Sequence, residues 1–209
     1  MLKIVALDFD GTLVESNNIK DKVFDTIFSE WPDHRDHMMR WHLENNAIDR
    51  EGKFRHFVEN VLGQINRSEL VDELVKRFSL QTMKNVSECE YVSGAVEFLE
   101  LFYRHYPVYL LSATPQKDLD KILKLRRLEH YFVQVYGAPI KKASVLKDIA
   151  VNNMVCPNQI VYIGDSPEDK IAAEEAGTQF IGRRSDRNLA TTGIPLFSDM
   201  NGVKEYVET

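Results

Sequence analysis

Two aspartates, Asp8 and Asp10, flank Phe9 near the start of the 209-residue chain, and Gly11 and Thr12 follow. A strand's period of two points both carboxylates to one side, and Gly11 lets the chain turn sharply behind them. Asp10-Gly11 taken alone reads as a turn. Asp8 does not, because it lies inside the apolar run from Lys3 to Phe9. A carboxylate in a run destined for burial is costly unless it is paired or bound to metal. A second acidic group, Gly164-Asp165-Ser166-Pro167-Glu168-Asp169, follows another apolar run. There Ser166 suits a helix cap, Pro167 the first helical position and Asp169 a capping box. Asp165 is left without a structural task. Carboxylates gathered at one sheet edge repel, by about 4 kcal/mol per pair at 4 Å and an effective dielectric of about 20. A divalent cation relieves this, and an all-oxygen site that keeps waters suits Mg²⁺.

Two further groups have the chemistry of an anion site. Ser112-Ala113-Thr114-Pro115 offers backbone N–H groups and hydroxyls just past a strand, the makings of an anion cradle or of a plain helix cap. Lys141-Lys142 opens a helix, where a cation opposes the macrodipole. The plain reading is a surface lysine pair; beside carboxylates and a phosphate, one of them would neutralise charge.

These residues need elements that bring them to one edge. Short apolar runs at 3–9, 108–111, 132–135, 160–163 and 179–181 alternate with helical patterns at 117–125, 143–151 and 167–176. That alternation predicts a parallel sheet with helices on both faces, a Rossmann-like α/β/α core. Ligands of such sheets gather beyond the carboxyl ends of the strands, where all the residues above fall. Between residues 16 and 85 the alternation stops. Val23, Ile27 and Phe28, then Phe54, Phe57, Val58, Val61 and Leu62, then Leu70, Leu74, Val75 and Phe78 recur at helical spacing. Breaks fall at Pro32, Ala47-Ile48 and Gly63 to Arg67. The expected organisation is a core over 1–15 and 86–209, with a helical cap over 16–85 inserted after the first strand. A further helix over 92–103 returns the chain to the sheet.

Composition narrows the function classes. Lys+Arg 26 against Asp+Glu 32 gives a net charge of -6, which argues against a general nucleic-acid or acidic-membrane binder. Two cysteines, Cys89 and Cys156, far apart and outside any metal-ligand spacing, predict neither a disulfide framework nor a zinc site. No run reaches the roughly 18–20 apolar residues of a membrane span. A cytoplasmic enzyme for a small molecule is the expectation, with no nucleic acid and no membrane as partner and no oligomeric state legible.

Asp8 to Thr12, then Leu111 to Pro115, then Lys142 at a helix start, then Gly164 to Asp169 together resemble the four ordered motifs of the haloacid dehalogenase superfamily. The resemblance spans nearly the whole chain and implies a phosphoglycolate phosphatase-like hydrolase with an α-helical cap. It implies Asp8 as the nucleophile that takes the phosphoryl group, and Asp10 as the acid and base. It implies Mg²⁺ held by the carboxylates of Asp8 and Asp165 and the backbone carbonyl of Asp10. Ser112 and the N–H of Ala113 would bind phosphoryl oxygens. Lys142, preferred to Lys141 because it directly precedes the helix, would steady nucleophile and phosphate. Asp169 would support the metal shell or the lysine. An aspartate at position 10 resembles the phosphatases and phosphomutases of the superfamily rather than its carbon–halogen hydrolases or transport ATPases.

Substrate selectivity would then come from the cap. The segment from Arg50 to Phe57 mixes cations with aromatic residues and loosely resembles the cap segment of phosphoglycolate phosphatase-like proteins. It also fits an amphipathic helix with Phe54, Phe57 and Val58 inward and a solvated basic face. If a cation there reaches substrate, Arg50 or Lys53 is the candidate. His34, His37, His42 and His56 are read as surface or half-buried, and Trp31, Met38, Met39 and Trp41 as cap core. The expected function is Mg²⁺-dependent hydrolysis of a small phosphomonoester through an aspartyl-phosphate. The rivals are a phosphomutase of the β-phosphoglucomutase type and a noncatalytic binding module of the same fold.

Overall fold

The computed structural model describes residues 1–45, 48–187, 189 and 193–208. The Ala47 side of the expected break at 47–48 lies outside the described residues. The chain divides into two compact units, Met1–Asn17 with Ser87–Thr209, and Asn18–Val86.

The first unit is a six-stranded parallel sheet in the order β3-β2-β1-β4-β5-β6. Its strands are β1 (Ile4–Leu7), β2 (Val108–Pro115), β3 (Gln134–Ala138), β4 (Ile160–Gly164), β5 (Gln179–Arg183) and β6 (Leu196–Phe197). All four residues of β1 and all five of β4 are buried, which explains why their sequences are apolar without alternation. Ile4 and Ala6 of β1 share one face with Tyr109, Leu111, Ile160 and Tyr162. Onto that face pack Val145, Leu146, Ile149 and Ala150 of α7 (Lys142–Asn152), and Ala173 and Ala176 of α8 (Pro167–Ala176). Each fully buried side chain of the Leu or Ile kind contributes roughly 1.5–3 kcal/mol. The chain runs from β1 outward to β2 and β3, then returns to place β4 on the other side of β1. That reversal puts the carboxyl ends of β1 and β4 side by side at a topological switch point.

The remaining helices of this unit are α5 (Ala95–Phe102), α6 (Gln116–Arg126) and α9 (Met200–Glu208). The third strand starts two residues later than its apolar run suggested. A 3-10 turn at Glu129–Tyr131 precedes it, and Val133, read as strand, is 64% exposed. Neither β6 nor α9 was expected.

Among its described residues the second unit contains helices and no strand, with α1 (Asn17–Phe28), α2 (Pro32–Glu44), α3 (Arg50–His56), a π-helical turn at Phe57–Val61 and α4 (Ser68–Glu88). Pro32 takes the first turn of α2, where its missing N–H costs nothing. Asp49 caps α3 by accepting from the Gly52 N–H at 2.8 Å. Its core gathers Phe24, Phe28, Phe54, Phe57, Met38, Leu74 and Phe78, with Trp31, Met39 and Trp41 packed against it. Among the described residues, no helix of either unit is long and apolar enough to cross a membrane.

Candidate active site

Asp8 follows β1 directly, and its N–H still donates to the Ile163 carbonyl at 2.9 Å, so the sheet ladder fixes its place beside β4. It is buried, 5% exposed. Lys142, the first residue of α7, donates through Nζ to Asp8 Oδ1 and to Asp169 Oδ1, each at 2.6 Å. Lys141 is exposed. Burial alone would lower the Lys142 ammonium, but the Asp8 and Asp169 carboxylates outweigh it and hold it well above the usual lysine range.

Asp165 follows β4 and is 3% exposed. Its Oδ2 accepts from Asn17 Nδ2 at 2.6 Å, and Ser185 adds a second hydrogen bond. Gly11, with φ at +74°, passes so close that a Cβ built there would sit 2.0 Å from Asp165 Oδ2. Only glycine permits both the left-handed turn and the approach. Asp169 forms the expected capping box with Ser166, each receiving the other's N–H. It also accepts from Tyr162 Oη at 2.6 Å.

The carboxylates of Asp8, Asp165 and Asp169 each offer an oxygen within 4.8 Å of the others. Three buried hard-oxygen donors fit a divalent cation of the Mg²⁺ kind. Their electrostatics point the same way. Burial lifts Asp8 well above the usual carboxylate range; Lys142 opposes this while Asp169, Asp165 and Asp10 add to it. Burial likewise raises Asp165, against the hydrogen bonds from Asn17 and Ser185. Burial would raise Asp169 too, yet the Lys142 charge and hydrogen bond, with those of Ser166 and Tyr162, bring it below its ordinary value. Both Asp169 oxygens therefore already have donors, on Oδ1 from Lys142 and Tyr162 and on Oδ2 from Ser166. Asp8 and Asp165 are the two carboxylates of the cluster that burial holds above their ordinary value.

The Asp10 carboxylate is held from two sides. Its Oδ1 accepts from Ser16 Oγ at 2.6 Å and its Oδ2 from Thr114 Oγ1 at 2.9 Å. Ser112, fully buried at the end of the apolar part of β2, accepts the Thr114 N–H at 3.0 Å, while Ala113 between them is exposed. Asp8, Asp10, Ser112, Ala113, Lys142, Asp165 and Asp169 thus all lie at the carboxyl edge of one sheet.

Arg50 and Lys53 belong to the helical unit. Arg50 opens α3 and is half-buried. Lys53 is 4% exposed and sits over the Phe24 ring, its Nζ donating to His42 Nδ1 at 2.7 Å and to the His42 carbonyl at 3.2 Å. His42 corrects the expectation of a surface or half-buried ring. It is 3% exposed, because Lys53 on one nitrogen and Asp21, 2.9 Å from the other, satisfy both sides of the imidazole.

Sequence reasoning missed Ser16, Asn17 and Tyr162, and read Thr114 as part of an anion cradle or a helix cap. It also missed Arg183, 8% exposed at the end of β5, which donates to the Gly11 carbonyl. The signal was there for Arg183: a charge closing an apolar run, the same argument that singled out Asp8. Ser16 and Asn17 carry no such signal, since a Ser-Asn pair before a helix reads as a cap.

Comparison with known proteins adds to this geometry. The family profile described as haloacid dehalogenase-like hydrolase matches residues 5–183. The chain is 24% identical over 191 residues to the phosphoglycolate phosphatase of Mannheimia succiniciproducens, covering 86% of this chain and 84% of that protein. It is 26% identical to that of Vibrio vulnificus over 191 residues, covering 87% and 83%. Among solved structures it resembles a predicted phosphoglycolate phosphatase from Haemophilus somnus, with TM-score 0.77, 20% identity and coverage of 99% and 98%. CbbY from Rhodobacter sphaeroides, solved in complex with phosphate, aligns with TM-score 0.69, 16% identity and 95% coverage of both chains. At these identities the structural likenesses speak for the fold. With the profile spanning most of the sequence and a buried aspartate cluster where the strand order of a parallel sheet reverses, this chain belongs to the haloacid dehalogenase-like hydrolases.

Proposed function

We propose that the protein is a Mg²⁺-dependent phosphatase that hydrolyses a small phosphomonoester through an aspartyl-phosphate on Asp8. The observation that carries this reading is the Asp8 carboxylate, buried beside Asp165 and Asp169 and held through one oxygen by Lys142 at 2.6 Å. The naming of the curated relatives as phosphoglycolate phosphatases supports the substrate class.

In this scheme the carboxylates of Asp8 and Asp165 and the Asp10 backbone carbonyl would hold Mg²⁺, which would supply charge neutralisation for the phosphoryl group. Lys142 orients the Asp8 carboxylate and adds positive charge. Ser112 and the Ala113 N–H receive the phosphoryl oxygens. An oxygen of Asp8 attacks phosphorus, the ester P–O bond breaks, and Asp10 gives its proton to the departing alkoxide. Asp10 then takes a proton from water, which attacks phosphorus and releases inorganic phosphate and the Asp8 carboxylate. Ser16 and Thr114, donating to separate oxygens of Asp10, hold that carboxyl in place between the two steps. Phosphoryl transfer rests mainly on such positioning and charge neutralisation. Asp169, saturated with hydrogen bonds, holds Lys142. In the helical unit, Arg50 remains the proposed substrate contact; the Lys53 ammonium is engaged with His42.

Phosphate release over a panel of small phosphate esters, beginning with 2-phosphoglycolate, tests this. Turnover should require Mg²⁺, stop with EDTA, return on adding excess Mg²⁺, and vanish in Asp8→Asn. Hydrolysis unchanged by EDTA or by Asp8→Asn would overturn the scheme. Isomerisation of a sugar phosphate that depends on a bisphosphate activator, without net phosphate release, would favour the phosphomutase.

A further inference from the structure

Arg183 is a buried cation at the site's edge that the proposed reaction does not use. Its backbone ends β5 and pairs with Phe197 of β6. Its guanidinium reaches three residues on two segments. Nη1 donates to the Gly11 carbonyl at 3.0 Å and to Glu15 Oε2 at 3.1 Å, Nη2 to Glu15 Oε1, and Nε to the Ser198 carbonyl at 3.2 Å. Such a fork of fixed geometry is something a lysine cannot reproduce.

Its partner Gly11 is the freest residue of the loop, in the left-handed region with φ at +74°. Both of its backbone polar groups are nevertheless held. The N–H donates to the Val14 carbonyl at 2.8 Å, and the carbonyl accepts from Arg183. Because a trans peptide is planar, the direction of the Gly11 N–H fixes that of the Asp10 carbonyl on its other side. Holding the next peptide as well removes the remaining rotation about Gly11, beside which Asp165 and Asn17 pass closely.

We propose that Arg183 is a positioning residue for the cation site: by clamping the Gly11 carbonyl it holds the Asp10–Gly11 peptide in the one orientation that presents the Asp10 carbonyl oxygen to the metal. This rests on the reading that a divalent cation uses that carbonyl. A clip that merely stitched the ends of β5 and β6 to the loop would lower stability and leave metal affinity alone.

Mn²⁺ binding followed by the EPR signal of free Mn²⁺ separates the two, with circular dichroism to confirm folding. The comparison uses the wild-type chain, Arg183→Met, Arg183→Lys and Glu15→Gln. Loss of a residue that orients a ligand typically weakens metal binding about 10–100-fold, and Arg183→Met should fall in that range. Arg183→Lys should lie between it and wild type, since one ammonium cannot serve Gly11, Glu15 and Ser198 together. Glu15→Gln leaves the bond to Gly11 and should bind close to wild type. In turnover, the Mg²⁺ needed for half-maximal rate should rise by the same factor in Arg183→Met, with the substrate KM at saturating Mg²⁺ unchanged. A folded Arg183→Met that binds Mn²⁺ as tightly as wild type would overturn the proposal, as would Glu15→Gln weakening binding equally. Should Arg183→Met fail to fold, unaltered affinity in Arg183→Lys overturns it. Absence of Mn²⁺ binding in the wild-type chain itself would instead bring down the metal reading, and this inference with it.

Discussion

Asp8 and Asp10 are two residues apart, and the structure gives them opposite surroundings. Asp8 is buried among carboxylates and tied to a lysine, whereas Asp10 is half-buried and held by two hydroxyls. That contrast suits a nucleophile beside an acid–base group, and it makes their roles separable. Asp10→Asn should lower turnover by about 10²–10⁴-fold, the usual contribution of a general acid and base. It should leave Mn²⁺ affinity near wild type, because the proposed metal contact is the backbone carbonyl. Metal affinity lost together with turnover in Asp10→Asn would contradict the assignment. At this scale the sequence was most legible where burial makes a charge expensive. Asp8 inside an apolar run and Asp165 left over by a capping box both declared themselves. Ser16, Asn17 and Tyr162 did not, because a hydroxyl or amide costs little at a surface and looks the same whether or not a carboxylate lies behind it.

Among the elements, β4 and α8 could be located to within a residue from the sequence and β1 to within two, since continuous burial and a complete capping box leave little freedom. The second strand runs on to Pro115 past a register shift between Leu111 and Pro115, which a search for apolar runs cannot see. The β6–α9 end was invisible for another reason. Its strand has two residues, and α9 carries Gly202, where a Cβ would stand 3.0 Å from Phe197. The loop after β1 yields a sharper test. Gly11→Ala adds left-handed strain of about 1–2 kcal/mol and also drives a methyl into Asp165. Gly63 has a comparable φ of +66° with nothing within 4 Å of a Cβ, so Gly63→Ala carries the strain alone. Both variants should melt earlier, Gly11→Ala by more, and only Gly11→Ala should lose Mn²⁺ binding and turnover. Equal loss of metal binding in both, or in neither, would show that the close approach to Asp165 is unimportant.

For the molecule as a whole, the sheet order does what no local motif can. It sets residues 8 and 165 beside each other although most of the chain separates them, and it does so because the chain turns back past β1 after β3. The helical unit has an aromatic core of its own, in which Phe54 touches the rings of Phe24, Phe28 and Phe78. Phe54→Ala should cost about 3–5 kcal/mol of packing. Hydrogen exchange should show the added opening within residues 18–86, with the amides of β1 and β4 as protected as in wild type; faster exchange in those strands would contradict a separate core. The account as a whole stands on acidic side chains from β1 and β4 sharing a cation next to a phosphoryl acceptor, and a crystal grown with Mg²⁺ and beryllofluoride reads that directly. The predicted result is fluoroberyllate bonded to the Asp8 carboxylate, with one Mg²⁺ between Asp8 and Asp165. An empty cluster, or fluoroberyllate seated away from Asp8, would contradict it.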